Sequence, residues 1–328
     1  MTALTGKILG TARKLVFPPV KRLLNRLDAP TIVLLYHRVA RLATDPEQLA
    51  VTPEHFRAQM RHLKENHCLV RFEEDWSGFP GPAVAVTFDD GYADNAREAL
   101  PVLEELGVPA TFFVSTANIG SRDEFWWDEL ERRILAGTDF PGSFDLAGGG
   151  PARSWPTVSA AGRQRLYHDL VALLTGADLA RRAGILAQLR AWRTGCPEPG
   201  DANRALSLDE LKRLAASRWV SIGAHTVHHL QLSALSDEAQ REEIGRSKRE
   251  LENWLGSEVT TFSYPFGRRC HYSGESVKLC RELGFRKAAS NFPGQAHRWS
   301  DPYQLPRHLV RDWPVDEFAA RLEGFWTR

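Results

Sequence analysis

Short, wholly apolar runs alternate with amphipathic stretches along this chain. Thr31–Tyr36, behind Pro30, and Ala83–Phe88 are rich in β-branched and aliphatic side chains, the pattern of strands buried on both faces. Ala110–Val114, Trp219–Ile222 and Thr260–Ser263 repeat the pattern, and weaker versions occur at Leu69–Phe72, Arg286–Ala289 and Pro306–Val310. Tyr92–Leu106 predicts a helix stopped by Gly107. Ser236 predicts the N-cap of a long charged helix running to about Leu255. Strand and helix signals that alternate in this way point to an α/β fold with a mainly parallel sheet. There is no internal repeat.

Two segments depart from that rhythm. From about 121 to 206 the chain carries Gly148–Gly150, several prolines and arginine-rich helical pieces such as Leu179–Trp192. We read it as a mostly helical insertion within one catalytic domain spanning residues 29–328. Residues 1–28 form a basic amphipathic arm in which Lys21, Arg22 and Arg26 alternate with Leu23, Leu24 and Leu27. Pro18 and Pro19 divide it into two short helices. Such an arm suits an anionic membrane surface; a solvated arm is the plainer alternative.

Composition narrows the function classes. Hydrophobic residues make up 43% and charged residues 25%, with a formal net charge of +1. That balance lacks the basic field of a nucleic-acid protein, so no nucleic-acid partner is expected. No run of roughly 18 apolar residues predicts a membrane span, and no export signal is visible. The expected location is cytoplasmic, with peripheral contact at the inner membrane face through residues 1–28. Cys68, Cys196, Cys270 and Cys280 form no metal or disulfide pattern and are expected as buried free thiols.

The chemistry concentrates in two motifs. Thr87-Phe88-Asp89-Asp90-Gly91-Tyr92 closes the second strand with adjacent carboxylates. Carboxylates at a buried strand end are costly unless something pairs with them, and Gly91 permits a tight turn close to a ligand. An acidic turn capping the next helix is the plainer reading of these residues alone. Gly223–His229 follows another strand and places His225 and His229 at i and i+4. A helical turn would set both imidazoles on one side. Two imidazoles with a carboxylate from a different strand end make a catalytic metal set with positions left for water and substrate. His228 is expected to point elsewhere, into packing or support.

The two motifs in this order resemble the polysaccharide deacetylases, the NodB-like carbohydrate esterase family four. The resemblance runs from about Thr31 to Val310. It implies a distorted (β/α)7 barrel, here with the helical insertion, and metal-dependent hydrolysis of an acetyl amide or ester. Carried over residue by residue, it implies Asp89 as general base and Asp90, His225 and His229 as ligands of one divalent metal. It also implies the Tyr92 N–H as an oxyanion donor. Zinc is the expected ion, and cobalt, nickel or iron suit the same donors. Leu34-Leu35-Tyr36-His37 ends the first strand. This is similar to circularly permuted members of the poly-N-acetylglucosamine deacetylase type, which implies His37 as general acid, with His308 as the rival.

Phe262–Gly267 resembles the family's third motif but carries Ser263 where many members have the arginine that orients the base. Arg307 is the expected substitute, and we also place it among the substrate-site residues. Tyr264 and Phe266 are expected to shape the wall of the sugar site, and Trp126 and Trp127 to stack on sugar rings. The expected partner is an acetylated amino-sugar glycan: a polysaccharide, an oligosaccharide or a lipid-linked sugar. A silent carbohydrate-binding protein on the same fold, and a hydrolase of another amide, are the competing readings. The intact set of acidic and histidine residues argues against the first.

Overall fold

The apolar runs become the strands of one parallel sheet in a computed structural model, which describes residue 25 and residues 28–327 apart from 77–78, 80, 149–152, 197 and 199. The basic arm therefore lies outside the described residues, except for Asn25 and Asp28. Seven strands follow in chain order: β1 (Thr31–Tyr36), β2 (Ala83–Phe88), β3 (Ala110–Val114), β4 (Val220–Ala224), β5 (Thr261–Ser263), β6 (Lys287–Ala289) and β7 (His308–Leu309). Their spatial order is β6-β5-β4-β3-β2-β1-β7, and every pairing is parallel. A two-residue strand, Cys68–Leu69, pairs with the start of β2. Ala289 makes a further parallel bridge to Leu305, just ahead of β7. The curled sheet is thereby drawn toward closure, as the distorted (β/α)7 barrel of the deacetylase type.

Every residue of β1 and β2 is buried, because alternate side chains face two different apolar layers. Val33, Ala85, Phe113 and Ala289 pack together in one cluster inside the barrel. Leu34, Val86 and Phe112 belong to a second layer. They pack with Phe56, Leu103, Leu211, Ile244 and Phe318 from the surrounding helices. Gly223 lets the interior close: a Cβ there would lie 2.4 Å from the Phe113 ring and 2.6 Å from the Thr261 hydroxyl.

Helix boundaries follow local chemistry. The Ser236 side chain accepts the Ala239 N–H and starts the helix Asp237–Leu255, which ends at Gly256 in the left-handed conformation. The helix expected over Tyr92–Leu106 opens as a wide π turn over Asn95–Ala99 and becomes α-helical only at Leu100–Leu106. Pro101, which has no N–H, stands at that junction.

Segment 121–206 holds the helices Trp126–Ile134, Ala160–Thr175 and Leu179–Trp192, packed around their own apolar cluster. It also holds an antiparallel hairpin, Ser143–Leu146 with Arg153–Pro156, that the sequence pattern did not announce. The four cysteines are free thiols, but Cys68 and Cys270 are exposed and Cys196 half-buried, contrary to expectation. Only Cys280 is buried, and burial pushes its pKa up to about 12. Among the described residues no helix is long and apolar enough to cross a membrane.

Two glycines test this packing. Gly223→Ala should destabilise the protein by about 1–3 kcal/mol through overpacking against Phe113. Gly184→Ala, inside the helix Leu179–Trp192 with open space at its Cβ, should stabilise by about 0.5–1 kcal/mol. Urea unfolding of both variants reads the opposite signs.

Candidate active site

The C-terminal ends of β2 and β4 place the two motifs side by side. After β2 the chain reverses through Asp90 (φ 75°) and Gly91 (φ 90°), so the two carboxylates leave the strand facing inward. After β4 the two imidazoles do converge, but not through the helical turn that their spacing suggested. Thr226 (φ 62°) and His229 (φ 50°) are both left-handed, and the segment is irregular. Non-glycine residues in that region cost on the order of 1–3 kcal/mol each unless their surroundings over-determine them. Here they do. The His225 N–H donates to Val114, and the Val227 and His228 N–H groups both donate to the Glu243 carboxylate. The His229 N–H donates to the Thr226 hydroxyl. Arg182 donates to the carbonyls of His228 and His229.

Asp90, His225 and His229 form a set able to hold one metal ion. One potential ligand atom of each lies within 4.8 Å of the others, and all three residues are buried. Nε2 of His225 is 3.6 Å and Nε2 of His229 3.4 Å from Asp90 Oδ1. His225 Nδ1 donates to the Ser263 carbonyl at 2.7 Å, which leaves Nε2 as the lone-pair nitrogen aimed at the cluster. Burial pushes the His229 pKa down to about 3, so its ring is neutral, the form that ligates. Burial pulls the Asp90 pKa up, but hydrogen bonding and charge from the surrounding histidines outweigh it and hold Asp90 ionised. Burial lowers the His225 pKa, but the charges of Asp89 and Asp90 outweigh it and raise the pKa, so a cation bound there would take the place of a proton. Imidazoles facing a buried carboxylate suit a borderline divalent ion. His228 points away, with Nδ1 2.6 Å from Glu243, as expected for a supporting residue.

Asp89 faces a different partner. Arg307 Nη1 donates to Asp89 Oδ1 at 2.7 Å and Nη2 to Oδ2 at 2.6 Å. Ser263 Oγ donates to Oδ2 at 3.1 Å and accepts from Arg307 Nη2 at 2.8 Å. The remaining guanidinium N–H groups go to the Thr87 hydroxyl and the Ser290 carbonyl. All five donors of Arg307 are thus used, and the residue is 1% exposed. The arginine missing from position 263 is replaced, in space, by one from the segment entering β7. Arg307 has no donor left for substrate, so its place among the substrate-site residues is withdrawn. Burial raises the Asp89 pKa, but the Arg307 charge and hydrogen bonds prevail and hold it below the usual carboxylate range.

One cleft of about 570 Å³ joins His37, Asp89, Asp90, His225 and His229. Trp126, Trp127 and Phe266 line it as expected. The Phe266 and Trp127 rings pack edge-on to His229, at 4.6 and 4.8 Å between centroids. Trp127 Nε1 donates to the Tyr92 hydroxyl, which donates to buried Asp128. Tyr264 does not reach the cleft. It is buried, stacks on Tyr272 at 4.1 Å and donates its hydroxyl to the Tyr303 carbonyl. The rival acid His308 is also elsewhere, stacked on Phe325 with Nε2 against the Gly294 carbonyl. Sequence reasoning missed Arg182 and Glu243. Glu243 sits in a strongly charged helix and Arg182 directly beside Arg181, so only burial distinguishes them from solvated neighbours.

The two carboxylates and two imidazoles thus gather at the C-terminal strand ends of a parallel barrel, the face where barrel active sites form. The polysaccharide deacetylase family model matches residues 77–140 and 185–288, and the chain belongs to this family. It is 23% identical over 302 residues to the Bacillus subtilis (strain 168) protein YxkH, a polysaccharide deacetylase by name, covering 89% of this chain and 76% of the relative. Its fold matches the crystal structure of the polysaccharide deacetylase BC0361 from Bacillus cereus, with a TM-score of 0.57, 22% identity, and 89% and 69% of the two chains covered. It also matches the Streptococcus pyogenes deacetylase PplD, solved with acetate, with a TM-score of 0.57, 16% identity, and 89% and 98% covered.

Removing the guanidinium tests the Asp89 pair. Arg307→Met should cost about 3–5 kcal/mol at neutral pH by leaving a buried carboxylate unpaired. Asp89 has a lowered folded pKa, so the pair contributes stability above the unfolded value and loses it as pH falls. The gap between parent and variant should therefore narrow below about pH 4. Urea unfolding across pH measures it, and a gap independent of pH would contradict the assignment.

Proposed function

We propose that this protein removes an acetyl group from an amino sugar in a glycan by metal-dependent hydrolysis. One observation carries the reading. The Asp90–His225–His229 cluster and the separately held carboxylate of Asp89 open into the same aromatic-lined cleft. The deacetylase names of the relatives support acetyl as the group removed.

A divalent ion held by Asp90, His225 and His229 supplies Lewis-acid polarisation of the acyl carbonyl and of a water molecule. The chain's own residues do the rest. Asp89 Oδ1 accepts one hydrogen bond, from Arg307, and keeps a lone pair for the proton of the attacking water. Arg307 and Ser263 fix the plane of that carboxylate, so the base is oriented before substrate arrives. The Tyr92 N–H has no acceptor among the described residues and is a donor for the developing oxyanion. His37, whose buried Nδ1 has no hydrogen-bond partner, faces the same cleft and delivers a proton to the departing amine. Burial lowers the His37 pKa by more than the charges of Asp90 and Asp89 raise it. Its protonation thus depends on both carboxylates staying ionised. Trp126, Trp127 and Phe266 offer apolar faces to the sugar ring.

Acetate release from N-acetylated oligosaccharides, compared with O-acetylated ones, tests the reaction and the linkage. Asp89→Asn should lower turnover by about 10²–10⁴-fold with metal content per chain unchanged. Retention of parental turnover would sink the assignment of the base. Chelation should abolish acetate release and added zinc restore it, whereas His225→Ala should lose both the metal and the response to added zinc, as read by elemental analysis.

A further inference from the structure

The insertion reaches into the metal site through one side chain. Arg182 stands in the helix Leu179–Trp192 and is 5% exposed, yet among the described residues no carboxylate pairs with it directly, Glu243 acting only from a distance. Nη1 donates to the His228 carbonyl at 3.0 Å, and Nη2 to the carbonyls of His229 and Leu174, each at 3.4 Å. Its Nε is buried without an acceptor. The guanidinium lies 5.0 Å over the ring of Trp126, which lines the catalytic cleft. Arginine is almost never buried without an acid partner, so the position of this one calls for a cause.

The cause lies in what it holds. His229 is left-handed, with its ring buried and its Nδ1 unpartnered. Ligating histidines are ordinarily fixed by a hydrogen bond on the second ring nitrogen. His225 has that bond, to Ser263, and His229 does not. The orientation of the His229 ring must therefore come from its backbone and its aromatic neighbours. Glu243 grips the loop by its N–H groups and Arg182 by its carbonyls. An anion on the donors and a cation on the acceptors clamp the turn from opposite sides.

We infer that Arg182 is a positioning residue of the metal site, through which the insertion sets the geometry of His229. The inference rests on the metal reading of the cluster. It makes the insertion part of the catalytic apparatus and not only a wall of the cleft.

Cobalt binding to the full chain, followed by titration and by the visible d–d spectrum, tests this without an activity assay. Arg182→Met should weaken cobalt binding on the order of 10–100-fold, the usual loss when an outer support of a ligand is removed, and should shift the spectrum. Arg193→Met is the control. Arg193 is equally buried in the insertion, but its donations go to Arg133 and Ala136 within it, so cobalt affinity and spectrum should stay parental. Arg182→Lys keeps the charge without the fork that spans two carbonyls and should show an intermediate loss; it also serves if the methionine variant fails to fold. Parental affinity and spectrum in whichever Arg182 variant folds would overturn the inference. Equal losses in the Arg182 and Arg193 variants would overturn it too, by tracing the effect to the insertion's integrity. A parent that binds no cobalt would overturn the metal reading itself.

Discussion

A carboxylate and a guanidinium, both buried inside the barrel, set the terms for the rest of the site. Arg307 spends its five donors on Asp89 and Thr87 from the end of β2, Ser263 from β5 and Ser290 just past β6. The segment that carries it leads into β7. One side chain therefore ties together four strands of a sheet whose closure is otherwise only partial. Buried ion pairs add little net stability compared with apolar packing, because desolvation offsets their attraction. What this pair supplies is a fixed plane for Asp89, 3.8 Å from His225 of the candidate metal set. Ser263 is part of that arrangement: its hydroxyl, 2.8 Å from Arg307, stands where a larger side chain would displace the guanidinium.

The two histidines of the candidate metal set are held by different means. His225 sits at a strand end and inherits its position from regular pairing, with Ser263 fixing its tautomer. His229 lies two turns of irregular backbone further on, past Thr226 in a strained conformation. Its environment has to supply what a strand supplies to His225. That environment comes from the Asp237–Leu255 helix through Glu243 and from the insertion through Arg182. The site is thus half scaffold and half clamp, and one arm of the clamp is drawn from the part of the chain that looked least like a catalytic domain.

The strands β1, β2 and β3 were the most legible in the sequence because each is buried on both faces and written mostly in β-branched, aliphatic and aromatic residues. The acidic and histidine motifs were legible because each follows a strand. The two histidines singled out by their spacing do converge, but by another route: left-handed backbone, invisible in residue identities, replaces the helical turn. Tyr264 and His308 were misplaced although the rule that excludes them is elementary. Side chains alternate along a strand, so Ser263 and Arg307 facing Asp89 turn their neighbours Tyr264 and His308 outward. Arg307 itself entered only as a replacement for an absent residue, since nothing local marks it. The hairpin in the insertion escaped because four-residue strands beside a glycine run give too little alternation to recognise.

Asp89 and Arg307 stand 218 positions apart, and that distance has a meaning during synthesis. His37, Asp89, Asp90 and both histidine ligands leave the ribosome long before Arg307. Until it arrives, the carboxylate at the end of β2 lacks its principal counter-ion, with only the imidazoles of His225 and His37 nearby. The early strands can pair with one another, but the barrel interior stays hydrated around Asp89 until β7 docks and the charge is matched. A nascent or C-terminally shortened chain accordingly lacks the group that fixes the plane of Asp89, even when most of its sheet has formed. The last strand works as a completion signal, and the residue that delivers it is the one that orients the base.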